Sequence, residues 1–226
     1  MNLKTHYDNL YKDAIQKIQN NEYLIDTAIH SPQDNRYGIT LLIRPPEVIK
    51  NEIQKFLNQL NAIEPNQYYY RNSDIHITVM SIISCYDEFE LKDIRLEEYI
   101  KIIEDSFIKP PNIEIEFRGV SASPSCVMIQ GFLSNNSLNI IRDRLRENFK
   151  LSNLQQSIDK RYSIQTAHST VVRFTEKLNK KAKFLNAIES FRNHKFGIFK
   201  PENLELVYND WYQKKERVKS LYKFNI

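Results

Sequence analysis

The pattern that decides the fold occurs twice, in SDIHITVMSII (73–83) and in QTAHSTVVRF (165–174). Each stretch contains a histidine, a threonine two positions later and then a valine, as HITV (76–79) and HSTV (168–171). Because the chain has only five histidines and seven threonines in 226 residues, two such coincidences would arise by chance with a probability of roughly 1%. The repeat therefore indicates two related halves of the chain.

Both stretches have the alternation that is typical of β-strands. Successive side chains of a strand point to opposite faces, so His76 and Thr78 share one face while Ile77 and its apolar neighbours take the other. His168 and Thr170 align in the same way, although the opposite face of that stretch is less uniformly apolar. We therefore expect each apolar face to pack against helices and each His/Thr face to line a cleft.

The surrounding sequence predicts two similar series of strands and helices. The first half predicts strands at 38–45, 73–83 and 112–120 and helices at 47–60 and 93–107. The second half predicts strands at 125–133, 165–174 and 203–210, helices at 136–149 and 178–193, and a closing strand at 220–226. Matching positions are 88 (39 to 127), 92 (76 to 168) and 91 (113 to 204) residues apart.

These offsets predict an α+β fold of two lobes related by internal duplication. Lobe 1 covers about 36–120 and lobe 2 about 121–226, and together they form a single domain. Residues 1–35 lie before it as an extension that is helical to about residue 30, on the evidence of apolar residues spaced near period 3.6.

The composition bounds the class of protein. With 41% hydrophobic and 12% aromatic residues, a chain of this length can bury a sizeable core. A net charge of +4 is too mild for a protein that coats duplex DNA. The first 26 residues lack an apolar signal region and no stretch has the length of a spanning helix, so we expect no membrane association and a cytoplasmic location.

Cofactor and metal motifs are absent from the sequence. Cys85 and Cys126 lie in apolar stretches without CxxC spacing, which argues against a disulfide framework or a zinc site. The four glycines form neither GxGxxG nor GxxxxGK[ST], the patterns that bind dinucleotides and nucleoside triphosphates. The sequence therefore predicts neither a cofactor nor a metal ion.

Two histidines beside two threonines suit phosphodiester chemistry. At neutral pH one imidazole can accept a proton while a protonated one gives a proton. Threonine hydroxyls, as neutral donors, suit the non-bridging oxygens of a phosphate. The set fits in-line cleavage or formation of a phosphodiester without a metal, and it leaves open which histidine is the base.

The paired motifs resemble those of the two-histidine (2H) phosphoesterase superfamily, which includes 2′-5′ RNA ligase-like proteins and cyclic phosphodiesterases. Its members carry two H-x-[T/S]-h motifs, where h is hydrophobic, on the central strands of a duplicated α+β fold. HITV and HSTV match both motifs, and HSTVVR continues to Arg173 as in many RNA ligase-like members. The resemblance covers about residues 36–226.

This resemblance implies antiparallel sheets that line a central cleft, with helices outside. It implies that His76 and His168 are the catalytic acid-base pair and that Thr78 and Thr170 bind the phosphate.

Three further residues are candidates for substrate binding. By strand parity Arg173 lies on the face opposite His168, so it would have to reach around an edge to touch a phosphate, and a surface ion pair is the alternative. Tyr70 and Trp211 lie next to predicted strand ends, where their rings could stack on nucleobases, although aromatic residues of strands are more often core.

The sequence thus predicts a metal-independent phosphoesterase that acts on a nucleotide or a short RNA, with a 2′,3′-cyclic phosphate or a 2′-5′ linkage as the substrate class. It implies no obligate protein partner. The alternatives are an RNA 2′-5′ ligase or tRNA-processing enzyme, and a non-catalytic nucleotide- or RNA-binding module.

Overall fold

The computed structural model describes residues 2–107 and 112–226, which form five α-helices and nine β-strands. The helices are α1 (Leu3–Gln19), α2 (Glu47–Ile63), α3 (Leu96–Asp105), α4 (Ser137–Leu151) and α5 (Lys181–Ser190). The strands are β1 (Tyr37–Ile43), β2 (Tyr68–Tyr69), β3 (Ile77–Tyr86), β4 (Ile115–Ser123), β5 (Cys126–Leu133), β6 (Ser169–Arg173), β7 (Lys195–Phe199), β8 (Asn203–Asp210) and β9 (Lys219–Asn225). None of the helices in these ranges is both long enough and apolar enough to cross a membrane.

The strands form two antiparallel sheets, which confirms the predicted α+β class. One sheet has the order β3-β1-β8-β9 and the other has the order β2-β6-β5-β4-β7. Each motif strand, β3 or β6, pairs with the first long strand of its own half, β1 or β5. Helices α1, α2, α4 and α5 pack against these sheets, and α3 packs against α4. The apolar face of α2, for example, buries Ile53, Phe56 and Leu60.

The sheets do not follow the predicted lobe boundary near residue 120. Strand β4, which we expected in lobe 1, pairs with β5 and β7, whereas β8 and β9, expected in lobe 2, extend the sheet of β1 and β3. The third strand of each half therefore lies in the sheet of the other half. The reason is local: only Pro124 and Ser125 separate β4 from β5, so the two strands form a hairpin.

Both motif strands contain a β-bulge at the same motif position. Along β3, Thr78 pairs with Leu42 and Met80 with Leu41, so Val79 is the extra residue. Along β6, Thr170 pairs with Met128 and Val172 with Val127, so Val171 is the extra residue. Each bulge falls on the valine that follows the motif threonine, and it shifts the facing of the side chains that come directly after it.

Several element boundaries differ from the sequence prediction. The first helix ends at Gln19 and not near residue 30, because Asn21 takes a left-handed conformation at φ 61° just after the helix. His76 and His168 each lie one residue before a strand, whereas we expected both within strands. Strands β2 and β7 escaped prediction because β2 has two residues and β7 is interrupted by Gly197 at φ 135°.

Helix α1 packs on the sheet of β4 and β5 and is part of the body of the protein. Its Tyr7 is fully buried, and the Tyr7 hydroxyl donates to the carbonyl oxygen of Gly131 at 3.3 Å. The Ser121 hydroxyl donates to the main-chain carbonyl of Tyr7 at 3.1 Å. The helix therefore covers an apolar face beside the segment that carries His168.

We predict that Gly131→Ala destabilises the protein, because the added Cβ would overlap the main-chain carbonyl of Ala167, the residue before His168. Overpacking of this kind costs about 1–3 kcal/mol of unfolding free energy, measurable by urea denaturation. Ile198→Ala, at an exposed position of the same sheet, is the control and should stay within about 0.5 kcal/mol of wild type. Equal stabilities of the two variants would contradict the prediction.

Candidate active site

His76 is held in one orientation by the turn that precedes β3. Its Nδ1 donates to the main-chain carbonyl of Asp74 at 2.7 Å. Because a carbonyl can only accept, Nδ1 carries the hydrogen, and in the neutral ring Nε2 is a free acceptor. The turn itself is fixed by Arg44, which donates to the carbonyl of Ser73 at 2.8 Å, and by the main-chain N–H of Lys215, which donates to the Asp74 carboxylate at 3.0 Å.

His168 is held by a side chain and not by the main chain. Its Nδ1 lies 2.6 Å from the hydroxyl oxygen of Thr166, which is buried. A hydroxyl can donate or accept, so this contact is compatible with either neutral tautomer and with the protonated ring. The two histidines are thus both tethered through Nδ1, but by groups of different chemistry.

The two motifs meet at one cavity of about 120 Å³ between the sheets. Every site residue that the sequence singled out lines it: His76, Thr78, His168, Thr170, Arg173, Tyr70 and Trp211. The remaining lining residues are Thr40, Ser81, Cys85, Tyr162, Asn209 and Gln213, none of which the sequence predicted as a site residue. The cavity thus combines two imidazoles, two threonine hydroxyls and one guanidinium.

The parity argument for Arg173 was wrong because of the bulge at Val171. The extra residue brings Arg173 onto the face of Thr170, so its side chain reaches the cavity directly. Its Nε donates to the hydroxyl of Tyr70 at 3.1 Å, and Nη1 lies 3.8 Å from the Asp26 carboxylate. The same shift places Ser81, three residues after Thr78, in the cavity wall.

The two aromatic candidates occupy different environments. Tyr70 is 2% exposed, with its ring in the core and its hydroxyl bonded to Arg173. Trp211 is half-buried at the cavity, and the guanidinium of Arg161 lies 4.6 Å from its ring centroid. Tyr162, which the sequence reasoning missed, is 64% exposed at the same place.

Burial keeps both histidines neutral. It lowers the pKa of His76 to about 4, despite the opposing effect of the bond to Asp74, and the charge of Arg44 lowers that pKa further. Burial also lowers the pKa of His168 to about 4, with the charge of Arg142 adding to the effect. Without a bound anion, the site therefore holds two neutral imidazoles at pH 7.

Arg142 of α4 connects the two motifs from beneath the site. It is 1% exposed, and it donates from Nη2 to the carbonyls of Thr78 and Thr166 at 3.0 and 2.8 Å, and from Nε to the carbonyl of Val79 at 3.0 Å. Burial lowers the pKa of Arg142 to about 10, so the guanidinium is still charged at pH 7. In the described ranges no carboxylate bonds to it.

The described ranges contain no group of three or more His, Cys, Asp or Glu side chains placed to hold a metal ion.

The fold is that of solved structures named LigT and phosphoesterase, which confirms at the level of the fold the resemblance that the two motifs carry. No family model matches the chain, and no curated protein matches its sequence.

Among the individual structures, E. coli LigT complexed with 3′-AMP superposes with a TM-score of 0.57 at 10% identity over 84% of this chain and 98% of that one. TT0787 of Thermus thermophilus has a TM-score of 0.56 at 14% identity over 83% and 97%. ATU0111 of Agrobacterium tumefaciens, a conserved protein of unknown function, has a TM-score of 0.55 at 14% identity over 93% and 98%. LigT has also been crystallised with NADP+, phosphate and ATP.

We predict that acid destabilises the protein through its two motif histidines. The unfolded imidazoles have pKa values near 6.5, whereas those of folded His76 and His168 are about 4. Between these values the unfolded state binds more protons, so the unfolding free energy falls as the pH drops from about 6.5 to about 4. Urea unfolding at a series of pH values should show this fall.

The double variant H76Q/H168Q should lose this part of the pH dependence. The matched pair H30Q/H194Q, at exposed positions, should keep it. Identical pH profiles for the two double variants would contradict the prediction.

Arg142→Met should cost on the order of 3 kcal/mol of unfolding free energy, because three buried carbonyls lose their donor. Arg144→Met, at an exposed position of the same helix, is the matched control and should be nearly neutral. Urea denaturation measures both. A small and equal effect of the two substitutions would show that the three carbonyls do not depend on Arg142.

Proposed function

We propose that the protein is a phosphoesterase that cleaves RNA-like or cyclic nucleotide phosphodiesters, with His76 and His168 as a metal-independent acid-base pair. The substrate class is a 2′,3′-cyclic phosphate or a 2′-5′ linkage. The observation that carries this proposal is the convergence of both histidines, each tethered through Nδ1, and of both motif threonines on one cavity. A nucleotide or short RNA in the cytoplasm is the substrate, and no cofactor or protein partner is required.

The phosphate lies between the two threonines. The hydroxyls of Thr78 and Thr170 donate to its non-bridging oxygens, and the guanidinium of Arg173 adds a positive charge. Arg173 keeps its place through Tyr70, so Tyr70 acts on the substrate through Arg173.

The tethers of the two imidazoles suggest their roles. The neutral His76 ring has a free acceptor at Nε2, which takes the proton of the attacking water or hydroxyl. The leaving oxygen takes a proton from Nε2 of protonated His168, whose Nδ1–H then donates to the Thr166 hydroxyl. One proton is accepted and one is donated, so the pair ends with its charge unchanged.

The acid takes up its proton from the solvent when the substrate binds. Before substrate binds, both imidazoles are neutral because their pKa values are about 4. An anionic phosphodiester placed beside them favours the protonated form and raises those pKa values. Substrate binding and proton uptake are therefore coupled, so an imidazole of the site is protonated only when the phosphodiester is bound.

The structural neighbours support a nucleotide ligand. LigT, which shares the fold, has been crystallised with 3′-AMP, ATP, NADP+ and phosphate. Hydrolysis is the reaction we propose, with RNA end joining or tRNA processing as the alternative outcome of the test below.

The test is turnover of 2′,3′-cyclic nucleotides and of 2′-5′ and 3′-5′ oligonucleotides in the presence of EDTA. We expect at least one substrate to be hydrolysed, and we expect His76→Ala and His168→Ala each to lower its turnover by about 100-fold or more. His30→Ala and His194→Ala, both exposed, are the matched controls and should keep wild-type turnover.

Loss of turnover in only one of the two motif variants would contradict a paired acid-base mechanism, and loss of wild-type turnover on EDTA treatment would contradict metal independence. Joined oligonucleotide products would favour a ligase. Absence of any turnover, with nucleotide binding retained in the folded variants, would favour a binding module.

A further inference from the structure

The two motif histidines find their Nδ1 partners at the same position of the repeat. Asp74 lies two residues before His76, and Thr166 lies two residues before His168. In the first half the partner atom is a main-chain carbonyl oxygen, which can only accept a hydrogen bond. In the second half it is a side-chain hydroxyl, which can accept or donate. The two contacts are therefore equivalent in position and different in chemistry.

Arg142 accounts for this difference. Its Nη2 donates to the main-chain carbonyl of Thr166 at 2.8 Å, and the same nitrogen also donates to the carbonyl of Thr78. The main-chain oxygen that corresponds to that of Asp74 is thus bound to a cation. The Thr166 hydroxyl takes its place beside Nδ1 of His168, at 2.6 Å. A residue without a hydroxyl at position 166 would leave Nδ1 without this partner.

The buried Tyr7 of α1 lies next to this contact. Its hydroxyl donates to the carbonyl of Gly131 and accepts from the N–H of Gly131, both at 3.3 Å. Gly131 in turn packs so closely on Ala167, between Thr166 and His168, that an added Cβ would overlap the Ala167 carbonyl. Burial raises the pKa of Tyr7 to about 12, and hydrogen bonds from the main chain of Gly131 and the side chain of Thr166 oppose that rise.

The contact with Tyr7 gives the Thr166 hydroxyl a direction. A hydrogen bond lowers the pKa of a tyrosine when it is donated to the phenolic oxygen, because it then stabilises the phenolate. Thr166 therefore directs its single hydrogen to Tyr7, and its oxygen is left to accept the Nδ1–H of His168. Neutral His168 then has no hydrogen on Nε2, as is the case for His76. We call Thr166 and Tyr7 the hydroxyl pair.

We propose that the hydroxyl pair positions the catalytic acid: Thr166 accepts the Nδ1–H of His168, and Tyr7 holds the Thr166 hydroxyl in that orientation. This rests on the proposed function, in which protonated His168 gives its Nε2 proton to the leaving oxygen. As the bond between phosphorus and that oxygen breaks, the hydrogen on Nδ1 stays where it is. A hydrogen bond to the charged imidazole favours the charged form, so the pair helps to keep the acid protonated while substrate is bound.

The other titratable and charged groups around His168 come from several elements. The charges of Arg142 of α4 and His6 of α1 lower its pKa. Further groups line the cavity of about 120 Å³ or an adjoining cavity of about 540 Å³ that also contacts His168: His76, Tyr70, Cys85, Cys126, Tyr162 and Arg173. Substitution of the hydroxyl pair leaves all of these groups in place and changes no charge near pH 7. A change in pH dependence therefore reports on the pair itself.

The tautomer of His168 can be observed without turnover, by NMR of the full chain with isotope-labelled histidine at pH 7. The variant H168Q assigns the signals of the His168 ring. We expect wild-type His168 to carry its hydrogen on Nδ1. His76 is the internal reference, because its bond to a carbonyl requires the hydrogen on Nδ1.

Thr166→Val keeps the shape of the side chain and removes the acceptor, so the Nε2–H tautomer of His168 should increase. Tyr7→Phe frees the Thr166 hydroxyl to donate to Nδ1 and should have the same effect. Thr166→Ser keeps the hydroxyl and should keep the wild-type tautomer. Tyr99→Phe is the matched control, since it removes another buried tyrosine hydroxyl, which donates to the carbonyl of Gln155 at 2.7 Å.

Turnover gives a second readout. The acid must be protonated, so kcat falls as the pH rises through the pKa of His168 in the substrate complex. Thr166→Val loses a hydrogen bond to the charged ring, which lowers that pKa and should move the alkaline limb of the kcat profile down by about one pH unit or more. Thr166→Ser and Tyr99→Phe should leave the limb in place.

Wild-type His168 with its hydrogen on Nε2 would overturn the proposal, and so would an unchanged tautomer in both Thr166→Val and Tyr7→Phe. A uniform loss of kcat at every pH in Thr166→Val, without movement of the alkaline limb, would reduce the pair to a structural role and also overturn it.

Failure of the hydroxyl pair and failure of the proposed function are distinguishable. A His168 tautomer that depends on both hydroxyls, in a protein without any turnover, supports the hydroxyl pair and refutes the enzyme. Turnover that needs both motif histidines, with the hydrogen of wild-type His168 on Nε2, refutes the hydroxyl pair alone.

Discussion

A single buried cation, Arg142, sets the distance between the two halves of the site. A β-bulge leaves Val79 without a partner on β1, and Arg142 of α4 donates to the carbonyl of Val79 and to that of Thr78. The same guanidinium bonds to the carbonyl of Thr166, whose hydroxyl contacts His168. A buried charge without a carboxylate is costly, and three bonds to main-chain carbonyls offset part of that cost. The charge of Arg142 also lowers the pKa of His168, so the residue that connects the two motifs also affects the protonation of a proposed catalytic histidine.

The duplication is visible in the details of the two strands as much as in their order. Both bulges fall on the valine after the motif threonine. In both cases the carbonyl of that valine accepts a hydrogen bond from a residue outside the bulged pair of strands. The carbonyl of Val79 accepts a hydrogen bond from Nε of Arg142. The carbonyl of Val171 accepts one from the main-chain N–H of Tyr70 at 3.0 Å. The two halves differ in the side chain that reaches the cavity after the bulge. It is Ser81 in the first half and Arg173 in the second. The positive charge is thus on one side of a nearly symmetric frame.

The motif pair, the class of fold and most elements could be predicted from the sequence, because strand alternation and helical periodicity are local properties. The facing of Arg173 could not, since a bulge breaks the alternation on which the parity argument depends. The sheet to which β4 belongs was missed, although Pro124 and Ser125 between two apolar runs were a usable signal for a hairpin. Arg142, Thr166 and Tyr162 carry no motif, and only the tertiary structure brings them to the site.

The exchange of third strands between the sheets also governs how the chain folds. Leu41 pairs with Leu206, so the sheet that carries the first motif closes only when the chain has supplied residues from near its other end. Such long-range pairing gives slow, highly cooperative folding, since a large loop must close before its contacts stabilise it. During synthesis the first 120 residues cannot form a complete sheet until β8 has been made. A duplicated protein of this design cannot be divided at the centre of its repeat into two independent folding units.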